Sequence, residues 1–198
     1  PLNQQLNALH VLAGTPWAEN LLDGSLIATV ARRSVVRNGD GTVSGCPEPV
    51  VYGALADLLV LPADDELVVV DLTGIDRSSE PAMDQTRQLA WLDLERAPAT
   101  TVGDVYAVAA HLDRGAVFHS AELLGAANAV MDLAVDYAGQ REQFGQPIGS
   151  FQAVKHRCAD MLVDVEGMRS TVYHAAWLIG AEEAEGDDAT VAAAVAKI

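Results

Sequence analysis

Residues 137–161 read YAGQREQFGQPIGSFQAVKHRCADM, a stretch that predicts a turn between two long helices. Gly139 and the segment 144–150 interrupt the helical pattern, because glycine and proline are the poorest helix formers. Ser150 is a suitable N-cap for the helix that follows. Apolar residues then recur every three or four positions, as one face of a packed helix requires. They are Phe151, Val154, Cys158, Met161, Val165 and Met168.

Helical periodicity extends on both sides of this turn. It predicts one long helix over about 107–139 and a second from 151 to 177 or 179, with Trp177 expected in the core. A last helix is predicted over 189–198, capped by an aspartate at 187 or 188. This helix stops inside an apolar pattern and has no C-cap glycine, so we expect that the 198 residues are not the complete functional unit.

The first half of the chain consists of short apolar runs separated by turn residues, which is typical of β-strands. The Asn-Gly-Asp-Gly turn at 38–41 favours a tight hairpin, because these residues tolerate positive φ. The predicted segments are a short helical region at 1–18, a strand at 25–30, a hairpin of 35–37 with 42–44, a hairpin of 58–61 with 67–70 around 62–66, and a strand at 88–92. The sequence therefore predicts an α+β fold: a small β-barrel or sandwich domain followed by long antiparallel helices of a partial four-helix bundle.

Charge and cysteine content exclude several classes of function. Lys and Arg number 12 and Asp and Glu 28, which gives a net charge of −16. This charge argues against binding to nucleic acid or to an anionic membrane surface, because both are negative. Cys46 and Cys158 lie far apart, which predicts neither a disulfide framework nor a zinc site, and a reducing cytoplasm is expected. No apolar run reaches the length of a membrane span.

No metal site is predicted from the histidines or the acidic residues. His111 and His119 are eight residues apart, too far for an i,i+4 pair of ligands, and together with His156 they are expected to be packing or surface residues. The acidic residues at 182–188 lack the alternating spacing of a calcium loop and are expected to form a solvated loop.

The turn around Arg141 carries the most specific chemistry in the sequence. An arginine beside a helix N-terminus suits a pyrophosphate, because the guanidinium and the helix dipole both favour an anion. Phe144 and Phe151 could provide an apolar wall for a flat ring. The residues alone leave a simpler alternative open, in which Arg141 is solvated and both phenylalanines belong to the core of a helix–helix turn.

The same residues resemble a known family pattern. The C-terminal helical domain of flavin-dependent acyl-CoA dehydrogenases carries Tyr-Ala-x-x-Arg-x-Gln-Phe-Gly-x-Pro-Ile-x-x-Phe-Gln-x-x-Lys-His-x-x-Ala-Asp-Met, and every fixed position is present here. The resemblance is strong over residues 107–198 and weaker over residues 20–106. The β-rich segment 20–106 resembles a degenerate form of the family's middle β-domain. It implies three regions: a remnant of the N-terminal helical domain at 1–18, a β-rich middle domain at 19–106, and an incomplete C-terminal bundle at 107–198.

This resemblance implies a shared cofactor site. In the family, the residues matching Arg141, Phe144 and Gln152 contact the FAD of a neighbouring subunit near its pyrophosphate and adenosine, and Phe151 is expected to line the same site. The implied cofactor is FAD and the implied substrate is an acyl-CoA. A homo- or hetero-oligomer sharing the FAD site and an electron-transfer acceptor are the implied partners.

Two other stretches depart from the family pattern. The loop that holds flavin and substrate, usually Thr-Glu-Pro-x-x-Gly-Ser-Asp, is replaced by IATVARRS at 27–34. The usual Lys-x-Trp-Ile-Thr-Asn stretch is replaced by CPEPVV at 46–51. The part of the site that would contact the flavin ring is therefore expected to be degraded.

No catalytic residue is identified in this chain. Most members place the catalytic glutamate in a region that would lie beyond Ile198, and a minority place it 26 residues before the loop arginine, where this chain has Gly115. The substrate-binding arginine one residue later is replaced by Ala116. Asp113 matches an acidic residue near the acyl-CoA in some members, with a helix N-cap as the alternative role.

Two functional hypotheses follow from these features. In the first, the chain is an acyl-CoA dehydrogenase-type flavoprotein that oxidises an acyl thioester to its α,β-enoyl form with FAD as hydride acceptor. In the second, the chain is a non-catalytic partner subunit of a hetero-oligomeric acyl-CoA dehydrogenase and contributes FAD contacts in trans. The second hypothesis rests on an intact Arg141 turn combined with a degraded flavin-ring site.

Overall fold

The computed structural model describes residues 2–180 and 186–197, and the chain divides into two compact units, Pro1–Gly115 and Ala116–Ile198. The helices are α1 (Leu2–Val11), α2 (Ala18–Asp23), α3 (Val105–Gln140), α4 (Gln152–Gly180) and α5 (Gly186–Lys197). The strands are β1 (Ala28–Val30), β2 (Val36–Arg37), β3 (Thr42–Gly45), β4 (Val50–Val51), β5 (Leu58–Ala63), β6 (Glu66–Asp71), β7 (Arg77–Glu80), β8 (Leu89–Leu92), β9 (Leu94–Gly103), β10 (Glu142–Gln143) and β11 (Gln146–Pro147).

Two sheets build the first unit. Six strands form one sheet in the order β1-β5-β6-β9-β3-β2, and three form another in the order β4-β8-β7. Strands β1 and β5 pair in parallel, and the other neighbours in these sheets pair antiparallel. In the described part of the chain, an isolated bridge joins Val35 to Ala63, but it does not extend into a ladder that would close the six-stranded sheet. The α+β class is therefore confirmed, and a closed barrel, one of the two predicted alternatives, is not formed.

The β5–β6 hairpin is buried on both faces, which explains its continuous apolar sequence. One core lies against the three-stranded sheet, which contributes Val50 and Leu92. The other lies against α1, which contributes Ala8, and includes Leu12 immediately after this helix. Alternate hairpin residues enter the two cores: Leu59, Leu61, Val68 and Val70 the first, and Leu58, Val60, Leu67 and Val69 the second. Because neither face meets water, every position must be apolar rather than every second one.

Both predicted hairpins are confirmed, but the second has a tighter turn than expected. Ala63 pairs with Glu66, so Pro62 and Glu66 lie in the strands and the turn contains two residues. Asp64 adopts a φ of 50° there, which aspartate tolerates better than most residues. The predicted strand at 25–30 is shorter than expected, because the Ile27 amide donates to the Asp57 carboxylate instead of to a strand.

The sequence pattern misses the longest strand, β9. Its pairing shifts register against both neighbours, and Arg96 within it has a φ of 52°. These irregularities break the two-residue alternation on which strand prediction depends. The short strands β4 and β7 are also missed.

The second unit contains the rest of α3 together with α4 and α5. Leu124 of α3 packs with Val165 and Val172 of α4, and a second cluster joins Val117, Ala175, Ala192 and Ala193. The small side chains in this second cluster let α5 approach its neighbours closely. Arg169 of α4 also donates to the side-chain oxygen of Asn128 on α3 at 2.9 Å. The predicted long helices are therefore confirmed.

Two predictions about the helices are wrong, and one lies partly outside the described residues. Trp177 is 66% exposed rather than in the core and stacks on His174. Helix α5 begins at Gly186, so Asp188 lies in its first turn and does not cap a helix beginning at 189. The acidic loop predicted at 182–188 falls largely on residues 181–185, which the structure does not describe.

Candidate functional site

A short hairpin connects α3 to α4 and presents the sequence-predicted cofactor residues. We call residues 141–151 the Arg141 loop. Glu142 pairs with Pro147 and Gln143 with Gln146, which leaves Phe144 and Gly145 as the turn. Their φ values are 53° and 78°, as the type I′ turn of a two-residue hairpin requires.

Backbone hydrogen bonds hold Arg141 from both sides. Its amide donates to the Tyr137 carbonyl at 2.8 Å, which continues the helical pattern of α3. Its own carbonyl accepts from the Ile148 amide at 2.7 Å, which closes the loop. The Arg141 side chain is exposed, and within the described part of the chain no hydrogen bond or ion pair engages its guanidinium. The guanidinium is thus free to bind an anion.

The two phenylalanines of the Arg141 loop form an edge-to-face pair. Their ring centroids are 6.1 Å apart and their planes meet at 89°, a favourable aromatic geometry. Phe144 is 93% exposed, so the alternative that places both rings in a core is wrong for Phe144. Phe151 is half-buried. A large apolar ring in the left-handed region and facing water is unfavourable for folding, which suggests a role in binding.

The first turn of α4 lies beside this pair. The Phe151 carbonyl accepts hydrogen bonds from the amides of Val154 and Lys155, so Phe151 occupies the position that precedes the helix. Ser150 is not the N-cap predicted from the sequence, because its hydroxyl donates back to the Pro147 carbonyl at 2.7 Å. Gln152 is the first residue of α4 and is exposed. The positive end of the helix dipole adds to the anion-binding character of this corner.

Asp113 lies in the first unit, whereas the four residues Arg141, Phe144, Phe151 and Gln152 lie in the second. It is half-buried and sits in the interior of α3, so the alternative role as a helix N-cap is wrong. The N-cap is Asp104, whose carboxylate accepts from the amides of Tyr106 and Ala107 at 3.1 Å each.

The first unit contains a buried polar cluster that the sequence does not predict as a group. His111 is 1% exposed, and its Nε2 lies 3.2 Å from the Ala31 carbonyl oxygen. Because a carbonyl can only accept, Nε2 of neutral His111 carries the proton and Nδ1 has the free lone pair. Burial lowers the pKa of His111, and the positive charges of Arg114 and Arg32 lower that pKa further.

Three buried polar atoms of this cluster make no hydrogen bond within the described residues. They are His111 Nδ1, Asn7 Oδ1 and Arg114 Nε. Gly115 lies beside them, and a Cβ added there would be 3.5 Å from Asn7 Nδ2. Asn7 and Gly115 are more than a hundred residues apart, so no local sequence pattern could reveal their contact.

Neither a metal-binding cluster nor a bilayer-spanning helix is found within residues 2–180 and 186–197. No group of three or more His, Cys, Asp or Glu side chains has the arrangement of a metal site. None of the helices there combines the length and the apolar character that crossing a bilayer needs. Cys46 is exposed, Cys158 is half-buried, and both are free thiols.

Sequence comparison matches the chain to one family. A family model described as acyl-CoA dehydrogenase, C-terminal domain, matches residues 104–198. The acyl-CoA dehydrogenase IpdE2 of Mycolicibacterium smegmatis is 41% identical over 133 residues, which are 67% of this chain and 40% of that protein. The acyl-CoA dehydrogenase FadE34 of Mycobacterium tuberculosis is 40% identical over 157 residues, 78% of this chain and 22% of that protein. The chain thus spans well under half the length of these relatives.

Comparison with solved structures agrees with the sequence matches. The ChsE4-ChsE5 complex from Mycobacterium tuberculosis contains a chain with a TM-score of 0.87 and 27% identity, and the match covers 100% of this chain and 60% of that one. A steroid acyl-CoA dehydrogenase variant, Tcur3481-Tcur3483, gives the same TM-score at 28% identity and the same coverage. The matched sequence, the fold and the intact Arg141 loop lead to one conclusion: the chain belongs to the acyl-CoA dehydrogenase family of flavoprotein oxidoreductases.

Proposed function

We propose that this chain is part of an FAD-dependent acyl-CoA dehydrogenase that converts an acyl-CoA thioester to its α,β-enoyl form. In this proposal Arg141, Phe144, Phe151 and Gln152 hold the nucleotide end of an FAD that is bound mainly by another subunit. The observation that carries the proposal is that the exposed Arg141 guanidinium, which engages no partner within the described residues, lies in the same short loop as the Phe144–Phe151 pair. The Arg141 guanidinium and the N-terminus of α4 suit a pyrophosphate, and the phenylalanine pair suits a flat ring.

Each of these four residues has a distinct role in this proposal. Arg141 donates paired hydrogen bonds to the pyrophosphate, and its fixed backbone limits the entropy lost on binding. The exposed Phe144 ring would pack against the adenine, and Phe151 would support the Phe144 ring through their edge-to-face contact. Gln152 donates its side-chain amide to an oxygen of the same ligand. The FAD, when bound, supplies the hydride acceptor for the dehydrogenation.

The proposal includes an oligomer, an acyl-CoA substrate and an electron-transfer acceptor. Arg141, Phe144 and Gln152 are exposed, so they are accessible to a cofactor held by a second chain. Asp113 is proposed to contribute to acyl-CoA binding, which its half-buried carboxylate could do through a hydrogen bond. We place the protein in the cytoplasm, which agrees with its two free thiols.

A second candidate function is that of a non-catalytic partner subunit that contributes only the Arg141 loop. The position at which a minority of the family carry the catalytic carboxylate is Gly115, and this glycine is buried against Asn7. Arg32, in the segment that replaces the flavin-binding loop, is engaged by Glu48, whose carboxylate accepts from the Arg32 amide at 2.8 Å. The likeness to a chain of the ChsE4-ChsE5 complex also supports a hetero-oligomer.

Flavin stoichiometry tests both candidates. The chain is purified alone and after co-expression with a second acyl-CoA dehydrogenase chain, and the FAD absorbance per chain is measured together with dye-linked oxidation of acyl-CoA. One FAD per chain with activity in the isolated protein supports the first candidate and excludes the second. One FAD per two different chains, with activity in the complex alone, supports the second. Absence of FAD from both preparations would contradict the flavin site itself.

A further inference from the structure

The backbone of Gly149 lies against the end of α3. A Cβ built at Gly149 would be 3.0 Å from the carbonyl oxygen of Ala138 and 3.3 Å from its carbonyl carbon. The first distance is at the limit that real Cβ contacts reach, and the partner is helix backbone, which cannot rotate aside as a flexible side chain could. The contact therefore depends on the absence of a side chain at position 149.

This contact lies between the two ends of the candidate flavin site. Ala138 is three residues before Arg141, and Gly149 is three residues before Gln152. Next to Gly149, the Ile148 amide donates to the Arg141 carbonyl at 2.7 Å, so the same few atoms tie the end of α3 to the start of α4. A displacement at Gly149 would change the separation between Arg141 and Gln152.

We infer that Gly149 is a positioning residue for the flavin site. It sets the separation between the Arg141 guanidinium and the Gln152 amide by allowing the 3-10 turn Ile148–Ser150 to lie against the Ala138 carbonyl. This inference rests on the proposed function, because it assigns Gly149 a role at the site that the proposal describes. The role is steric: the φ of Gly149 lies outside the left-handed region, so alanine is acceptable to its backbone.

The chain offers a matched control for this inference. Gly139 lies in the last turn of α3, two residues before Arg141, and a Cβ added there would meet no atom within 4 Å. Gly139→Ala and Gly149→Ala are the same chemical change on either side of the Phe144–Gly145 turn. The first places a Cβ in open space, and the second places one 3.0 Å from the Ala138 carbonyl oxygen.

The test compares these two variants in the complex that carries FAD, by two readouts. The first is the dissociation constant for FAD after removal and titration of the cofactor. The second is hydrogen exchange of the Ile148 amide in the flavin-free protein, which reports on its bond to Arg141. Gly149→Ala is expected to weaken FAD binding by at least about threefold, since small misplacements of binding groups are costly, and to speed exchange at Ile148. Gly139→Ala is expected to leave both values unchanged.

The two readouts separate failure of the inference from failure of the proposed function. If the unaltered protein and Gly139→Ala both fail to bind FAD, the proposed function is wrong, and the exchange at Ile148 still decides whether Gly149 sets the loop geometry. If Gly149→Ala binds FAD as tightly as Gly139→Ala does, the inference is overturned. Unchanged exchange at Ile148 in Gly149→Ala would also overturn it. A global loss of thermal stability in Gly149→Ala, absent from Gly139→Ala, would assign the residue to folding instead.

Discussion

The Ile148 amide donates a hydrogen bond to the Arg141 carbonyl at 2.7 Å, and this bond closes the loop between the two longest helices. With its own amide bonded to Tyr137, Arg141 has both backbone groups fixed while its side chain is exposed. A fixed backbone with an exposed guanidinium suits ligand binding, because the backbone loses no further conformational freedom when the ligand is held. The stability of the fold and the affinity for the ligand should therefore respond differently to changes at this residue.

Replacing Arg141 with alanine is expected to weaken FAD binding without destabilising the flavin-free protein. A charge-assisted hydrogen bond contributes about 1.5–3 kcal/mol, which corresponds to roughly a 10- to 150-fold rise in the FAD dissociation constant. The unfolding temperature of the apoprotein should change little, because substitutions of exposed side chains usually have small effects on stability. Titration with FAD and thermal unfolding of the apoprotein measure the two quantities.

Arg157→Ala is the control for that change. Arg157 is also exposed, on α4, and lies outside the Arg141 loop. The loss of one positive charge should by itself have a small effect on FAD binding. Equal losses of apoprotein stability and FAD affinity in Arg141→Ala, or equal FAD affinities in the two variants, would show that Arg141 does not bind the cofactor.

Phe144 is expected to oppose local stability while it supports binding. The φ of Phe144 is 53°, a value that asparagine adopts more easily than alanine does. Replacement of Phe144 by either residue removes the ring. The free energy of unfolding of Phe144→Asn should therefore exceed that of Phe144→Ala by about 0.5–1 kcal/mol, because asparagine tolerates the left-handed backbone better. Both variants should bind FAD more weakly than the unaltered protein does. Denaturant unfolding and FAD titration of the pair measure these effects, and an FAD affinity unchanged in both would contradict a binding role for the ring.

His111 is expected to make the protein less stable in mild acid. Burial lowers its folded-state pKa, and Arg114 and Arg32 lower that pKa further, while its contact with Ala31 and the charge of Glu48 act in the opposite direction. The unfolded chain then binds the proton more readily than the folded protein does. The stability due to neutral His111 is present above the unfolded pKa of about 6.5 and is lost as the pH falls toward the folded pKa.

Denaturant unfolding between about pH 7.5 and pH 5 tests this dependence. His111→Gln should reduce the slope of unfolding free energy against pH in this window. His10→Gln should reduce it less, since the pKa of His10 is lowered by a weaker burial and by Arg114. His156→Gln, at an exposed position of α4, serves as the control. A slope in His111→Gln equal to that of the control would show that His111 does not titrate with folding.

The β5–β6 hairpin is expected to dominate the stability of the first unit. Leu61 is 0% exposed and packs in the core between the two sheets. Leu61→Ala should lower the free energy of unfolding by about 2–5 kcal/mol, because it removes buried methyl groups and leaves a cavity. Leu22→Ala is the control, at a leucine of α2 that is 70% exposed, and should change stability by less than about 0.5 kcal/mol. Chemical denaturation measures both, and similar values for the two would contradict this assignment of the core.

Local patterns predicted the long helices and the two hairpins, since the residues that determine them lie close together in the chain. Four-residue turn sequences such as Asn38–Gly41 restrict φ locally, and helical spacing is visible within a single segment. Two features were misplaced because helical spacing alone does not distinguish between competing local arrangements. Ser150 donates to Pro147 instead of capping α4, and Trp177 faces solvent because Ala175, two residues before it, takes the inward position.

The sequence by itself determined the family, the helix–turn–helix at 137–161 and the identity of the loop residues, because that motif is contiguous and its spacing is fixed by the helix period. The tertiary structure alone decided three further features. It left the Arg141 side chain exposed, brought Gly149 against Ala138, and buried His111 beside Arg114 and Arg32. Each of these depends on the packing of separate elements, and a contact between elements is set by the whole fold and not by any segment of it.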